Sequence, residues 1–211
     1  MPFVYSFEAQ SKFNRTITID RLTSYLAVTK GDTASAIMLY ERNTMISEGL
    51  YGILQPLEIS VRNAIHDVMS KDTARLDWYE LPLFQPQEIR TIAEAKANIT
   101  RWKKTISPGR VVSELTFGFW VKLISAKYEK TLWVPHLYKS FPALRKPDRV
   151  TIFNRLDNIR NLRNRVAHHE QILSRNIDED YQNIIETIEW ICPTTAAWVN
   201  AHNSLQKTLI R

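Results

Sequence analysis

Apolar residues recur at steps of three and four over most of this chain, the period of a helix buried along one face. The longest such stripe passes through Ile46, Leu50, Ile53, Leu54, Leu57, Val61, Ala64 or Ile65, and Val68. It predicts one long helix, capped by Asp32 or Thr33 and running to about Lys71. Before it, Ile19, Leu22 and Leu26 predict a short helix within Thr16–Lys30, ended near Gly31, and residues 1–14, with aromatics in no clear period, read as an extended arm. After it come helices over Glu88–Lys104 and, beyond a Pro108-Gly109 turn, over Arg110–Tyr128. Ile177–Ile191 follows, with Pro193 as its break, and residues 193–211 form a final helix or tail. Asp77–Pro86 and Trp133–Pro147 are proline-rich connections anchored by aromatics. No segment has the alternation of a strand. The expected fold is an all-α bundle of five to seven helices, one domain over 1–211.

One predicted helix breaks its own pattern. After Pro147-Asp148, a good start signal, Ile152, Leu156, Ile159, Leu162 and Val166 are spaced by four, three, three and four. At about 100° per residue they share an arc of roughly 120°, and Arg163 falls inside it. An arginine on a buried face must meet an anion or line a cavity, because an unpaired buried guanidinium costs several kcal/mol. Arg163 is therefore expected to be largely buried, with its guanidinium emerging at a cleft or a dimer seam. Asp157, Arg160, Asn164 and His168 form a polar row beside that arc. On the long helix, Glu58, Arg62 and His66 form a second row at intervals of four. Two readings of it stand: a solvated row worth about 0.2–0.5 kcal/mol, or a partner for Arg163.

Charge adds a tilt. Lysine and arginine number 28 against 22 acids, giving +6 and a pI near 9.4, which favours a polyanionic partner without establishing one. A single cysteine, Cys192, leaves no intramolecular disulfide and no cysteine-based zinc site. Five glycines argue against a phosphate-cradling loop. No run approaches the ~18 apolar residues that span a bilayer, and Met1–Arg15 lacks the apolar run of a secretory signal. The cytoplasm is the expected location.

Arg163-Asn164 followed by His168 resembles the Arg-x4-6-His motif of HEPN-domain ribonucleases. The longer string Leu162-Arg163-Asn164-Arg165-Val166-Ala167-His168-His169-Glu170 is more narrowly similar to the Abi-like (abortive infection) family of that superfamily. Two further blocks resemble the same family: Leu57-Glu58-Ile59-Ser60-Val61-Arg62-Asn63-Ala64-Ile65-His66, and Ser113-Glu114-Leu115-Thr116-Phe117-Gly118-Phe119-Trp120. Read without the resemblance, the aromatics of this last block are core.

The resemblance implies a HEPN-type bundle and a metal-independent endoribonuclease without cofactor, with RNA as substrate and a homodimer as the working unit. It further implies a role in anti-phage defence or a toxin system, with an inhibitory antitoxin of protein or RNA as a further partner. Arg163, Asn164 and His168 would be catalytic. Glu58, Arg62, Asn63, His66, His169 and Glu170 would support them, and Arg160 and Arg165 would hold flanking phosphates. The chemistry needs few groups. Histidine suits removal of a proton from the ribose 2′-OH, which attacks the adjacent phosphorus. Arginine's planar fork suits phosphate oxygens.

Geometry objects at one point. Arg163 and His168 lie about 140° apart around an ideal helix. They converge only if the arginine stem wraps, if the helix ends near Ala167, or if a second subunit completes the site. Blander readings remain open. Arg163 can be a structural partner of Glu58, and His168 and His169 can complement a helix C-terminus. A metal site of His168, His169, Glu170 and His66 is weak, because adjacent helical histidines point about 100° apart. A non-catalytic RNA-binding or assembly module is the alternative function.

Overall fold

The computed structural model describes residues 4–205. Among them the chain is helical throughout, with nine α-helices and no strand. The all-α expectation holds, but the count exceeds five to seven, for two local reasons. The expected N-terminal arm contains a helix, α1 (Phe7–Phe13), capped by Ser6, whose Oγ accepts from the Ala9 N–H at 3.2 Å. A π-helical turn over Asn14–Thr18 then leads into α2 (Ile19–Val28). The second reason is a break. The stretch expected as one helix over Arg110–Tyr128 divides into α5 (Pro108–Glu114) and α6 (Phe117–Leu123), because Leu115 and Thr116 adopt extended backbone.

The longest element is α3 (Thr33–Thr73), started by the Asp32 carboxylate on the Ser35 N–H. Pro56 lies inside it and has no N–H to give the Gly52 carbonyl. A connection holding the fully buried Trp78 leads to α4 (Pro86–Arg101). After short 3-10 and π turns come α7 (Arg149–Ala167), capped by Asp148 on the Thr151 N–H at 2.7 Å, then α8 (Ile177–Ile191) and α9 (Pro193–His202). Pro108 is not a turn, and Pro193, where α8 breaks off as expected, also starts the next helix. Each opens a helix, where its missing N–H would have had no partner in any case. Residues 206–211, part of the expected C-terminal helix or tail, lie outside the described residues.

The main core is a stripe along α3 (Ile46, Leu50, Ile53, Leu54, Leu57, Val61, Ile65, Met69) against α6, α7 and α8, with Trp120 and Leu162 fully enclosed. Gly49 belongs to this stripe because Leu205 crosses it. A Cβ there would sit 2.9 Å from the Leu205 Cα. A smaller cluster of Leu22, Tyr25, Ala36 and Ile37 joins α2 to the start of α3.

Candidate functional site

Packing of α3 against α7 brings Glu58 to Arg163, which lie 105 residues apart in sequence. The Arg163 Nε donates to Glu58 Oε1 at 2.8 Å. The junction of α5 and α6 forms a third wall, and the three together enclose a cleft of about 430 Å³. Gln55, Glu58, Arg62, Ser113, Glu114, Thr116 and Arg163 supply its polar lining, Leu54, Leu115, Phe117 and Trp120 apolar lining, and Tyr51 and Ile59 are exposed beside them. The break at Leu115–Thr116 is what lets one short block give both lining types: Phe117 and Trp120 turn into the core while Ser113, Glu114 and Thr116 stay exposed.

Arg163 is less buried than its place on the apolar arc suggested. Its side chain is 39% exposed and that of Glu58 26%. Its guanidinium meets Glu58 at the cleft, where Arg163 is part of the lining. Glu58 engages only Nε. Among the described residues no other acceptor hydrogen-bonds the Arg163 guanidinium, which leaves both terminal nitrogens for a ligand.

His168 is placed elsewhere. Helix α7 ends at Ala167, which lines the cleft, and His168 is the exposed cap residue, its N–H on the Asn164 carbonyl at 2.9 Å. His169 then takes a left-handed backbone, φ 56°, and turns the chain away. His168 is not among the residues that line the cleft, although α7 ends beside it. Asn164 is also exposed and outside the cleft wall. Arg160 pairs with Asp157 at 2.9 Å, its stem 3.8 Å from where a Cβ on Gly118 would lie, which is ordinary contact. Arg165 lies near Glu170 at 3.8 Å and donates to the Gln171 carbonyl.

The second row on α3 splits in the same way. Arg62 lines the cleft, its Nε donating to the exposed Asn63 Oδ1 at 3.2 Å. His66 does not: its Nδ1 accepts from the Trp78 indole N–H at 2.9 Å. Burial pushes the His66 pKa down, which keeps that nitrogen free to accept. Among the described residues no three His, Cys, Asp or Glu side chains gather as a metal site would require. No helix among them is long and apolar enough to cross a membrane.

No family model, no curated protein and no solved structure matches this chain.

Two residues that shape the site were missed by sequence reasoning. Asn43 is 3% exposed, on the buried face of α3. Its amide bridges the loop after α7, with Nδ2 donating to the Glu170 carbonyl at 3.3 Å and Oδ1 accepting from the Ile172 N–H at 2.8 Å. Arg21 of α2 donates to the His169 carbonyl at 2.9 Å. A signal for Asn43 was present. It precedes Ile46 by three on the apolar arc of α3, the same anomaly that singled out Arg163. Arg21 gave none, since an arginine on a short amphipathic helix is ordinary.

Proposed function

We propose that this protein is a HEPN-type, Abi-like endoribonuclease that cleaves RNA without a metal and acts as a homodimer in the cytoplasm, in anti-phage defence or a toxin system held in check by a protein or RNA inhibitor. One observation carries the reading: the three separated blocks that bear the resemblance all contribute to a single cleft around Arg163 and Glu58. In the mechanism, Glu58 holds the Nε edge of Arg163, and the terminal nitrogens take phosphate oxygens and offset charge at the pentacoordinate phosphorus. His168 takes the proton of the 2′-OH, whose oxygen attacks the phosphorus and expels the 5′-oxygen, which leaves as a hydroxyl on taking up a proton, and Asn164 orients the imidazole. Since His168 stands outside the cleft of its own chain, it reaches the phosphate from a second copy. The exposed Tyr51 and Ile59 beside the cleft are apolar surface for that copy to cover.

Purified protein incubated with total RNA in EDTA should leave 2′,3′-cyclic phosphate ends or their opened products and spare DNA. His168→Ala should abolish cleavage with its helical circular dichroism and melting intact. Activity that returns only with added divalent ions would refute the metal-free mechanism. The position of His168 also favours a second reading, an RNA-binding module using the same cleft. Wild-type protein that binds RNA without cleaving it, with His168→Ala binding equally, selects that reading.

A further inference from the structure

The α4–α5 connection presents an exposed tryptophan among three cations. Arg101-Trp102-Lys103-Lys104-Thr105-Ile106 is exposed at every position, and Trp102 is 72% exposed. Tryptophan is highly buried on average, and Trp78 and Trp120 of this chain are enclosed. The indole is nevertheless held on ordered backbone. Lys103 takes a left-handed conformation, φ 55°, and its N–H reaches the Thr100 carbonyl at 2.8 Å while the Lys104 N–H reaches that of Ile99 at 3.1 Å. These are the paired bonds of a Schellman ending, in which glycine is the usual left-handed residue. Here lysine occupies that place.

Among the described residues Arg101, Lys103 and Lys104 have no carboxylate partner, so the flank of the indole is uncompensated positive charge. Arg101 in the last turn complements the helix dipole. That role requires neither the two lysines beyond the helix nor an exposed indole. Helix α4, which the loop follows, is tied to the cleft wall. Asn98 donates to the cleft residue Glu114 at 3.2 Å. Trp102 follows Asn98 by four residues, on the same face and about 6 Å further along the axis.

We infer that Trp102, Lys103 and Lys104 form a stacking platform for single-stranded RNA. One base lies on the indole, the lysines meet the flanking phosphates, and the strand continues towards the Arg163 cleft. The RNA class rests on the function proposed above. Stacking tolerates any base, and a duplex, whose bases are already stacked, presents none to the indole. The platform therefore prefers unpaired strands without reading their sequence.

The test uses the full chain and a fluorescent 12-nucleotide oligouridine bearing 2′-O-methyl riboses, which cannot supply the attacking hydroxyl, so binding is read apart from cleavage. Anisotropy should show tighter binding to this strand than to a hairpin duplex. Trp102→Ala should weaken it by about fivefold to a hundredfold, with Trp102→Phe restoring much of the loss. Lys103→Gly relieves the left-handed backbone and should raise the melting temperature while lowering the salt slope of binding by about 0.7. Unchanged affinity in Trp102→Ala overturns the platform. So does loss of binding by Trp102→Ala to phosphatidylserine vesicles with RNA affinity intact, which would make the exposed Trp102 and Ile106 a membrane contact. A protein that shows the Trp102 loss yet never cleaves natural RNA keeps the platform and refutes the nuclease. One that cleaves, with Trp102→Ala binding as wild type, refutes the platform alone.

Discussion

Replacing Arg163 with lysine keeps the charge and removes the fork, and the geometry of the Glu58 pair sets the expected size of the loss. Arginine donates from Nε to Glu58 at 2.8 Å and keeps two terminal nitrogens free. A lysine ammonium is a single point. Whichever oxygen it chooses, the carboxylate of Glu58 or a phosphate in the cleft, the other loses its partner. A hydrogen bond to a charged group is worth about 1.5–3 kcal/mol. On the proposed mechanism, losing one or two of them at the phosphate should lower the cleavage rate by about tenfold to a thousandfold or more.

Stability should fall far less. Exposed ion pairs contribute about 0.2–1 kcal/mol and breaking buried ones costs about 3–5. With side chains 39% and 26% exposed, the pair lies near the lower class, at about 1 kcal/mol. Arg165→Lys is the control. That arginine is exposed and 3.8 Å from Glu170, so its replacement should leave melting close to wild type and be nearly silent in rate, or weaken RNA binding in a salt-dependent way if it holds a flanking phosphate. Single-turnover cleavage and thermal melts of both variants, at two salt concentrations, decide the matter. Equal small rate losses would refute use of the fork at the phosphate. A large stability loss in Arg163→Lys with its chemistry intact would make Arg163 a structural partner of Glu58 and nothing more.

Three further outcomes follow from the packing. Gly49→Ala drives a methyl to within 2.9 Å of the Leu205 backbone and should destabilise by about 1–3 kcal/mol in denaturant melts, whereas Gly52→Ala, with nothing within 4 Å, should be neutral or stabilising. Asn43→Ala strands the buried Ile172 N–H and should lose about 1–3 kcal/mol by the same assay, and the loop after α7 should exchange its amide hydrogens faster. The His66 pKa lies below its ordinary 6.5 in the folded chain, so between the two values the unfolded state binds the extra proton. Stability should therefore fall as the pH drops below about 6.5, and a His66→Asn variant should flatten that part of the melting-temperature profile.

Local chemistry was legible in the sequence wherever one helix decides its own fate. The stripe of α3, the Asp32 and Asp148 caps and the span Ile177–Ile191 follow from periodicity and capping, which act within a turn or two. Arg163 is conspicuous as a polar residue on an apolar arc, and Asn43 carries the same mark on α3. The break at Leu115–Thr116 could not be read in this way. Both halves keep apolar residues, and the reason to bend is the space left between α3 and α7 for Phe117 and Trp120. Nor did spacing separate Glu58 and Arg62 from His66. All three share one row, and only the position of Trp78 gives the half-buried last of them an indole partner while α7 and the α5–α6 junction meet the first two. Periodicity says which face of a helix is covered. What covers it is a property of elements distant in the chain, and those meet only when the bundle closes.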